Sequence, residues 1–100
     1  MKVFLCVREY KTIDNYPSIK EQIEQAKDYA DSNGLTIVNI TKDDKSEIIT
    51  CEEGVVNYCV NNKITSVLAY DYRILAYRSI DRVKLSKELY TKNIKILFFG

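Results

Sequence analysis

Val3-Phe4-Leu5-Cys6-Val7-Arg8-Glu9-Tyr10, followed after a short polar loop by Ser18-Ile19-Lys20-Glu21-Gln22, decides the architecture. The five apolar residues form the unbroken run of a strand covered on both faces. A strand that delivers an arginine at its carboxyl end, then a loop, then a capped helix, is a place where phosphates or other anions are handled. Ser18 and Glu21 make a capping box after Pro17, and Ile19, Ile23, Ala26, Tyr29 and Ala30 fall on one helical face. Asn33-Gly34 supplies the stop.

Working outward, Leu35 to Ile40, Ile64 to Tyr70 and Ile94 to Phe99 repeat the apolar run and predict three more strands. A shorter helix is expected from about Cys51 to Asn62, with Val55, Val56, Cys59 and Val60 as its apolar side. A third is expected from about Ser79 to Lys92. The order β-α-β-α-β-α-β, with right-handed crossovers, gives a three-layer α/β fold: a doubly wound sheet of about four parallel strands with helices on both faces. Ligands bind outside the carboxyl ends of such strands. Arg8 and Tyr10, Asp43-Asp44-Lys45-Ser46, and Asp71-Tyr72-Arg73 are all placed on that rim.

Composition bounds the function. The 100 residues, 46% hydrophobic with three glycines and one proline, make one domain over residues 1–100 without a linker. The net charge of +1 does not by itself mark a nucleic-acid binder. Its distribution is uneven: residues 1–63 carry 8 Lys and Arg against 11 Asp and Glu, and residues 64–100 carry 7 against 3. Cys6, Cys51 and Cys59 lack metal or redox spacing, and with no histidine in the chain a cysteine nucleophile has no partner. Free thiols in a reducing cytosol are expected, hence a cytoplasmic protein. The first apolar stretch is too short for a signal peptide or a membrane span.

Several signals carry two readings. Arg8 and Arg73 at the rim bind a phosphodiester, or they pair with Asp43, Asp44 or Asp71 and brace loops. Arg73, Arg78, Arg82 and Lys84, interleaved with Tyr72 and Tyr77, form a basic-aromatic stretch suited to a nucleic-acid backbone, or an ordinary helix surface with Arg78/Asp81/Arg82 and Lys84/Glu88 ion pairs. The second is favoured. Asp43 and Asp44 suit Mg²⁺, but adjacent acids before Lys45 read better as a solvated turn. The eight tyrosines fit core and boundary roles. A general nucleotide-binding module would want a glycine-rich loop, and none is present.

The ordered set of motifs resembles the N-terminal catalytic domain of the serine recombinases, the resolvase and invertase group. Typical members open with a strand ending Tyr-x-Arg-Val-Ser, then Ser-Ile-x-x-Gln, then Tyr-Ala-x-x-x-Gly. Here the text is Cys6-Val7-Arg8-Glu9-Tyr10, Ser18-Ile19-Lys20-Glu21-Gln22 and Tyr29-Ala30-Asp31-Ser32-Asn33-Gly34. An Asp-bearing loop (Asp44), a helix near Gly54, the strand Val67-Leu68-Ala69 and an Asp-Arg-Leu-x-Arg counterpart, Tyr72-Arg73-Ile74-Leu75-Ala76, follow in the family's order. The resemblance spans the whole chain. It implies a resolvase-like fold, site-specific DNA recombination without metal or cofactor, and DNA and a recombinase or second copy as partners. Typical members continue past the fourth strand into a dimer helix and a DNA-binding region, which are expected to be absent from residues 1–100.

The departures point to a degenerate site. In the family a serine after the first strand attacks the phosphodiester while arginines neutralise the developing charge. Tyr10 stands at the serine position, Glu52 and Ala76 at two arginine positions, and Tyr72 at the aspartate. Arg8, Gln22, Asp44 and Arg73 remain. Losing one transition-state cation costs on the order of 3 kcal/mol. The residues expected at family catalytic positions are therefore Arg8, Tyr10 and Arg73, with Arg8, Arg73 and Arg78 contacting phosphate or DNA and Gln22, Asp44 and Tyr72 supporting the rim. Cleavage by Tyr10 in place of serine is the active alternative, hampered by the greater reach of a phenol; Thr12, two residues out of register, reads as loop surface. A purely protein-interacting domain is the other.

Overall fold

The computed structural model describes residues 1–41 and 54–100. Four strands, β1 (Lys2–Cys6), β2 (Thr36–Ile40), β3 (Ser66–Ala69) and β4 (Lys95–Phe98), form one parallel sheet in the order β2-β1-β3-β4. Helices α1 (Ile19–Asn33), α2 (Val55–Asn61) and α3 (Ser79–Thr91) supply the crossovers. The expected order and the α/β class are both observed. A 3-10 turn, Tyr72–Leu75, lies between β3 and α3 and has no counterpart in the sequence reading.

Side-chain alternation divides the core between the two faces of the sheet. Val3, Leu5 and Val7 of the first strand and its exit, with Leu68 of β3, face α1 and pack with Ala26. Phe4, Cys6, Val67 and Ala69 point the other way, into Val55 and Cys59 of α2 and Leu85 and Leu89 of α3. Both faces of β1 and β3 are therefore covered. The apolar runs at β2 and β4 read the same in sequence, yet these two are edge strands and only partly buried. Along β2 the register shifts between Val3 and Phe4, whose partners are Ile37 and Asn39, so Val38 is left unmatched and exposed.

The caps of α1 follow the sequence signals. Ser18 Oγ accepts from the Glu21 backbone N–H at 3.2 Å and also donates to the Glu21 carboxylate. Gly34 closes the helix with φ +66°, a left-handed conformation that costs glycine nothing, and donates to the Ala30 carbonyl. Gln22, expected to support the rim, is fully buried on the inner face of α1. Residues before Gly54, including the proposed start of the second helix at Cys51, lie outside the described residues. Among the described residues no helix is long and apolar enough to cross a membrane.

Cys6 and Cys59 are both buried free thiols. Burial raises the Cys59 thiol from 9.0 to about 11, because a thiolate there would lose its water. The folded state therefore holds the neutral thiol more firmly than the unfolded chain does. Stability from this group is complete below pH 9 and is lost as pH rises towards 11. Urea titrations across that interval should give a steeper alkaline loss for the native chain than for Cys59→Ala; parallel pH profiles would contradict this.

Candidate functional site

The strand order reverses between β1 and β3, so the crevice between their carboxyl ends is where a doubly wound sheet presents its ligand groups. Thr41, at the end of β2, fixes the exit of β1. Its N–H donates to the Leu5 carbonyl and its hydroxyl accepts from the Val7 N–H at 2.9 Å. One residue on, the Gln22 carboxamide takes hold of Arg8. Oε1 accepts from the Arg8 N–H at 3.2 Å, while Nε2 donates to the Arg8 carbonyl at 2.7 Å and the Pro17 carbonyl at 3.0 Å. A strand end stripped of its ladder partners thus keeps its backbone groups satisfied.

Arg8 stands at the rim as expected but is turned inward. It is 1% exposed, its Nε donates to the Ile74 carbonyl at 3.1 Å, and its guanidinium carbon lies 3.9 Å from the centre of the Tyr77 ring. Tyr77, 57% exposed, is the outer leaf of this pair. Such stacking retains the cation by the ring's quadrupole while shielding it from water.

Tyr10 occupies the centre. Its hydroxyl proton is shared between the carbonyls of Arg73 and Ala76, the latter at 3.1 Å, and its oxygen accepts from Arg82 Nη2 at 3.2 Å. Arg82 reaches in from α3 and also donates to the carbonyls of Ala76 (2.8 Å) and Tyr77 (3.2 Å). The Tyr10 ring packs edge-on against Tyr16 and Tyr77, and Tyr16 continues to Tyr70 and Phe99 in the same manner. Five aromatic rings therefore run across the carboxyl rim.

Arg73 makes the loop-bracing pair. Asp71 accepts from its backbone N–H and from its guanidinium, with Nη2 2.6 Å from Oδ2, and this arrangement caps the 3-10 turn. Its guanidinium also lies 4.8 Å from the Tyr16 ring centre. Burial, reinforced by the hydrogen bond it donates to Asp71, raises the Tyr16 hydroxyl well above the usual phenol range and keeps it a donor.

The remaining expected residues divide. Arg78 is exposed at the start of α3 and forms a two-pronged ion pair with Asp81, which holds the Asp81 carboxyl below the usual carboxylate range. Tyr72 is exposed and its hydroxyl meets Ser86 of α3 at 3.4 Å, away from Tyr10's hydrogen bonds. Asp43, Asp44, Lys45, Ser46 and Glu52 lie outside the described residues. Two assignments need correction: Tyr77 and Arg82, read as part of a surface stretch, turn into the rim. Arg82 shares the inner face of α3 with Leu85 and Leu89, three and seven residues on, and that spacing is the signal in the sequence that places it inward.

Among solved structures the neighbours of this chain are catalytic domains of serine recombinases, and the four-stranded parallel sheet with its helices is their fold. One is the N-terminal catalytic domain of TP901-1 integrase, 25% identical, with a TM-score of 0.73 over 99% of this chain and 77% of that one. Another is the C-terminal catalytic domain of ISC1926 TnpA, an IS607-like serine recombinase, 18% identical, with a TM-score of 0.71 over 99% of this chain and 69% of that one. No protein-family model matches the sequence, and no curated protein does.

Replacing Gln22 tests the bracket on Arg8. Gln22→Leu fills a similar volume but leaves the Arg8 N–H and two carbonyls unpaired in the interior, a loss expected to be on the order of 3 kcal/mol by denaturant titration. A change below about 0.5 kcal/mol, the size of an ordinary surface substitution, would contradict the bracket.

Proposed function

We propose that this domain acts in DNA recombination without cutting DNA itself, through contacts with the DNA backbone or with a recombinase. The serine recombinase catalytic-domain fold supports a recombination-related function. One observation carries the rest of the reading: the hydroxyl at the family's nucleophile position, Tyr10, is tied to the carbonyls of Arg73 and Ala76 and to the Arg82 guanidinium.

Strand transfer through a phosphoserine-type link needs a free oxygen aligned with phosphorus and cations facing the developing charge. Tyr10 would have to release its carbonyl contacts before it could attack. Arg8 would have to leave the Tyr77 ring and the Ile74 carbonyl to face a phosphate, and Arg73 would have to leave Asp71. Ala76 offers no charge where the family carries an arginine. Each cation withheld from a transition state costs roughly a hundredfold in rate. The basic surface of residues 64–100, including Arg78, Lys84 and Lys87, still favours a polyanion.

A second reading has its own support. Arg82 Nη2 donates to the Tyr10 oxygen at 3.2 Å, so a cation already stands beside the hydroxyl that would have to attack. Incubation with supercoiled plasmid and end-labelled duplex, resolved on denaturing gels, separates the two. The proposal expects no nick and no covalent adduct, together with duplex binding that weakens as salt rises. An adduct that disappears in Tyr10→Phe would overturn it and make Tyr10 the nucleophile. Absence of both adduct and binding would leave protein contacts alone as the domain's role.

A further inference from the structure

Ala76, Tyr77 and Arg78 join the 3-10 turn to α3 as a short link, extended at Ala76 (φ −164°, ψ 162°) and at Arg78 (φ −94°, ψ 142°). Arg82 fixes the backbone of that link by donating to the carbonyls of Ala76 and Tyr77. The Tyr77 side chain belongs to no helix or strand face and is more than half exposed. Its ring nevertheless covers the guanidinium of Arg8, a cation that is almost wholly buried.

We infer that Tyr77 is an autoinhibitory lid: its ring closes over the Arg8 guanidinium, and a swing of that one side chain opens a rim site for a phosphate-type oxyanion. The parts differ in how firmly they are fixed. Gln22 grips the Arg8 backbone through both its N–H and its carbonyl, and the Ile74 carbonyl accepts from Nε, so the cation keeps its place. The Tyr77 ring stacks on that cation at 3.9 Å and packs edge-on against Tyr10 with 5.7 Å between ring centres. A rotamer change breaks both contacts without moving the backbone, and exposed side chains make such changes readily.

With the ring closed, Arg8 has almost no surface to offer an anion. A ligand must therefore select the open rotamer, and its apparent affinity is lowered by the fraction of molecules that are open. A minor state of this kind is populated at roughly 0.1–10%, so removing the ring is expected to tighten binding at Arg8 by about tenfold or more. Free phosphate and a DNA backbone share the oxygens that an arginine recognises. The inference rests on the reading that Arg8 is withheld from phosphate in this domain, yet it is separable from the absence of cutting. Tyr10 keeps its carbonyl contacts whether or not Tyr77 swings out, so an open lid brings no strand cleavage with it.

Labelling the full chain with phenylglyoxal, a dicarbonyl that reacts with accessible guanidiniums, and locating the product by peptide mass spectrometry reads the lid at Arg8 itself. Exposed Arg78 is the reference in the same sample. Arg8 should label far more slowly than Arg78 in the native chain and in Tyr77→Phe, and at least about tenfold faster than native in Tyr77→Ala. Tyr77→Leu, which keeps bulk but no aromatic face, should also speed it and disturbs packing less. Cys59, fully buried in the core, should resist alkylation throughout, which separates an open lid from an unfolded chain. In the opened variants, inorganic phosphate or a short DNA duplex at constant ionic strength should slow labelling of Arg8. Protection by phosphate alone identifies a free oxyanion as the ligand, and protection by duplex alone identifies a backbone phosphate. The inference is overturned by a native Arg8 as reactive as Arg78, by an Arg8 rate indifferent to both substitutions, by an opened Arg8 that neither probe protects, or by loss of Cys59 protection in both variants.

Discussion

The buried carboxamide of Gln22 binds both backbone groups of Arg8, and the disposition of the whole rim depends on that pair of contacts. β1 is one of the two interior strands of the sheet and its ladder ends at Cys6, so the residues just beyond must find partners elsewhere. Thr41 provides them for Val7 and Gln22 for Arg8. Because Gln22 sits one turn into a helix capped by Ser18, the cap, the helix and the strand exit are fixed relative to one another. Arg8 is thereby directed inward beneath Tyr77, and Tyr10, two residues later, is carried over the 3-10 turn that follows β3.

The consequence is a rim in which cations and hydroxyls are already committed. Arg8 is covered by one tyrosine and Arg73 lies against another, while Asp71 neutralises Arg73 directly. The three carbonyls offered by Arg73, Ala76 and Tyr77 are met by Tyr10 and Arg82. In a site built for phosphoryl transfer the donors point at empty space, where charge will develop. Here they point at protein. The Tyr10 phenol has the length to reach the 3-10 turn after β3, where it braces the carbonyls of Arg73 and Ala76.

Much of this was legible in the residues, and what was not has physical causes. Helix α1 announced itself because its caps and its apolar face agree, and β1 because a five-residue apolar run has few alternatives. The runs at β2 and β4 are interrupted by Thr36, Asn39 and Lys95, but position in the sheet is set by crossover direction, which no local pattern records; both proved to be edges. The turn Tyr72–Leu75 is too short to have a period. At the site, Arg8, Tyr10 and Arg73 could be assigned to the rim from topology, but orientation could not, since inward and outward guanidiniums are spelled alike. Arg82 was the exception: its place beside Leu85 and Leu89 on one helical face was readable, and the neighbouring Arg78 and Lys84 obscured it.

The claim on which this picture turns is that the Tyr10 hydroxyl is a structural tie to Arg82 rather than a reactive group. A double-mutant cycle on stability, combining Tyr10→Phe with Arg82→Met in urea titrations, measures that tie directly. A coupling energy on the order of 1 kcal/mol is expected for a hydrogen bond to a charged group in a half-buried setting. Additive effects, within about 0.3 kcal/mol, would contradict the picture by showing that the two side chains do not depend on each other.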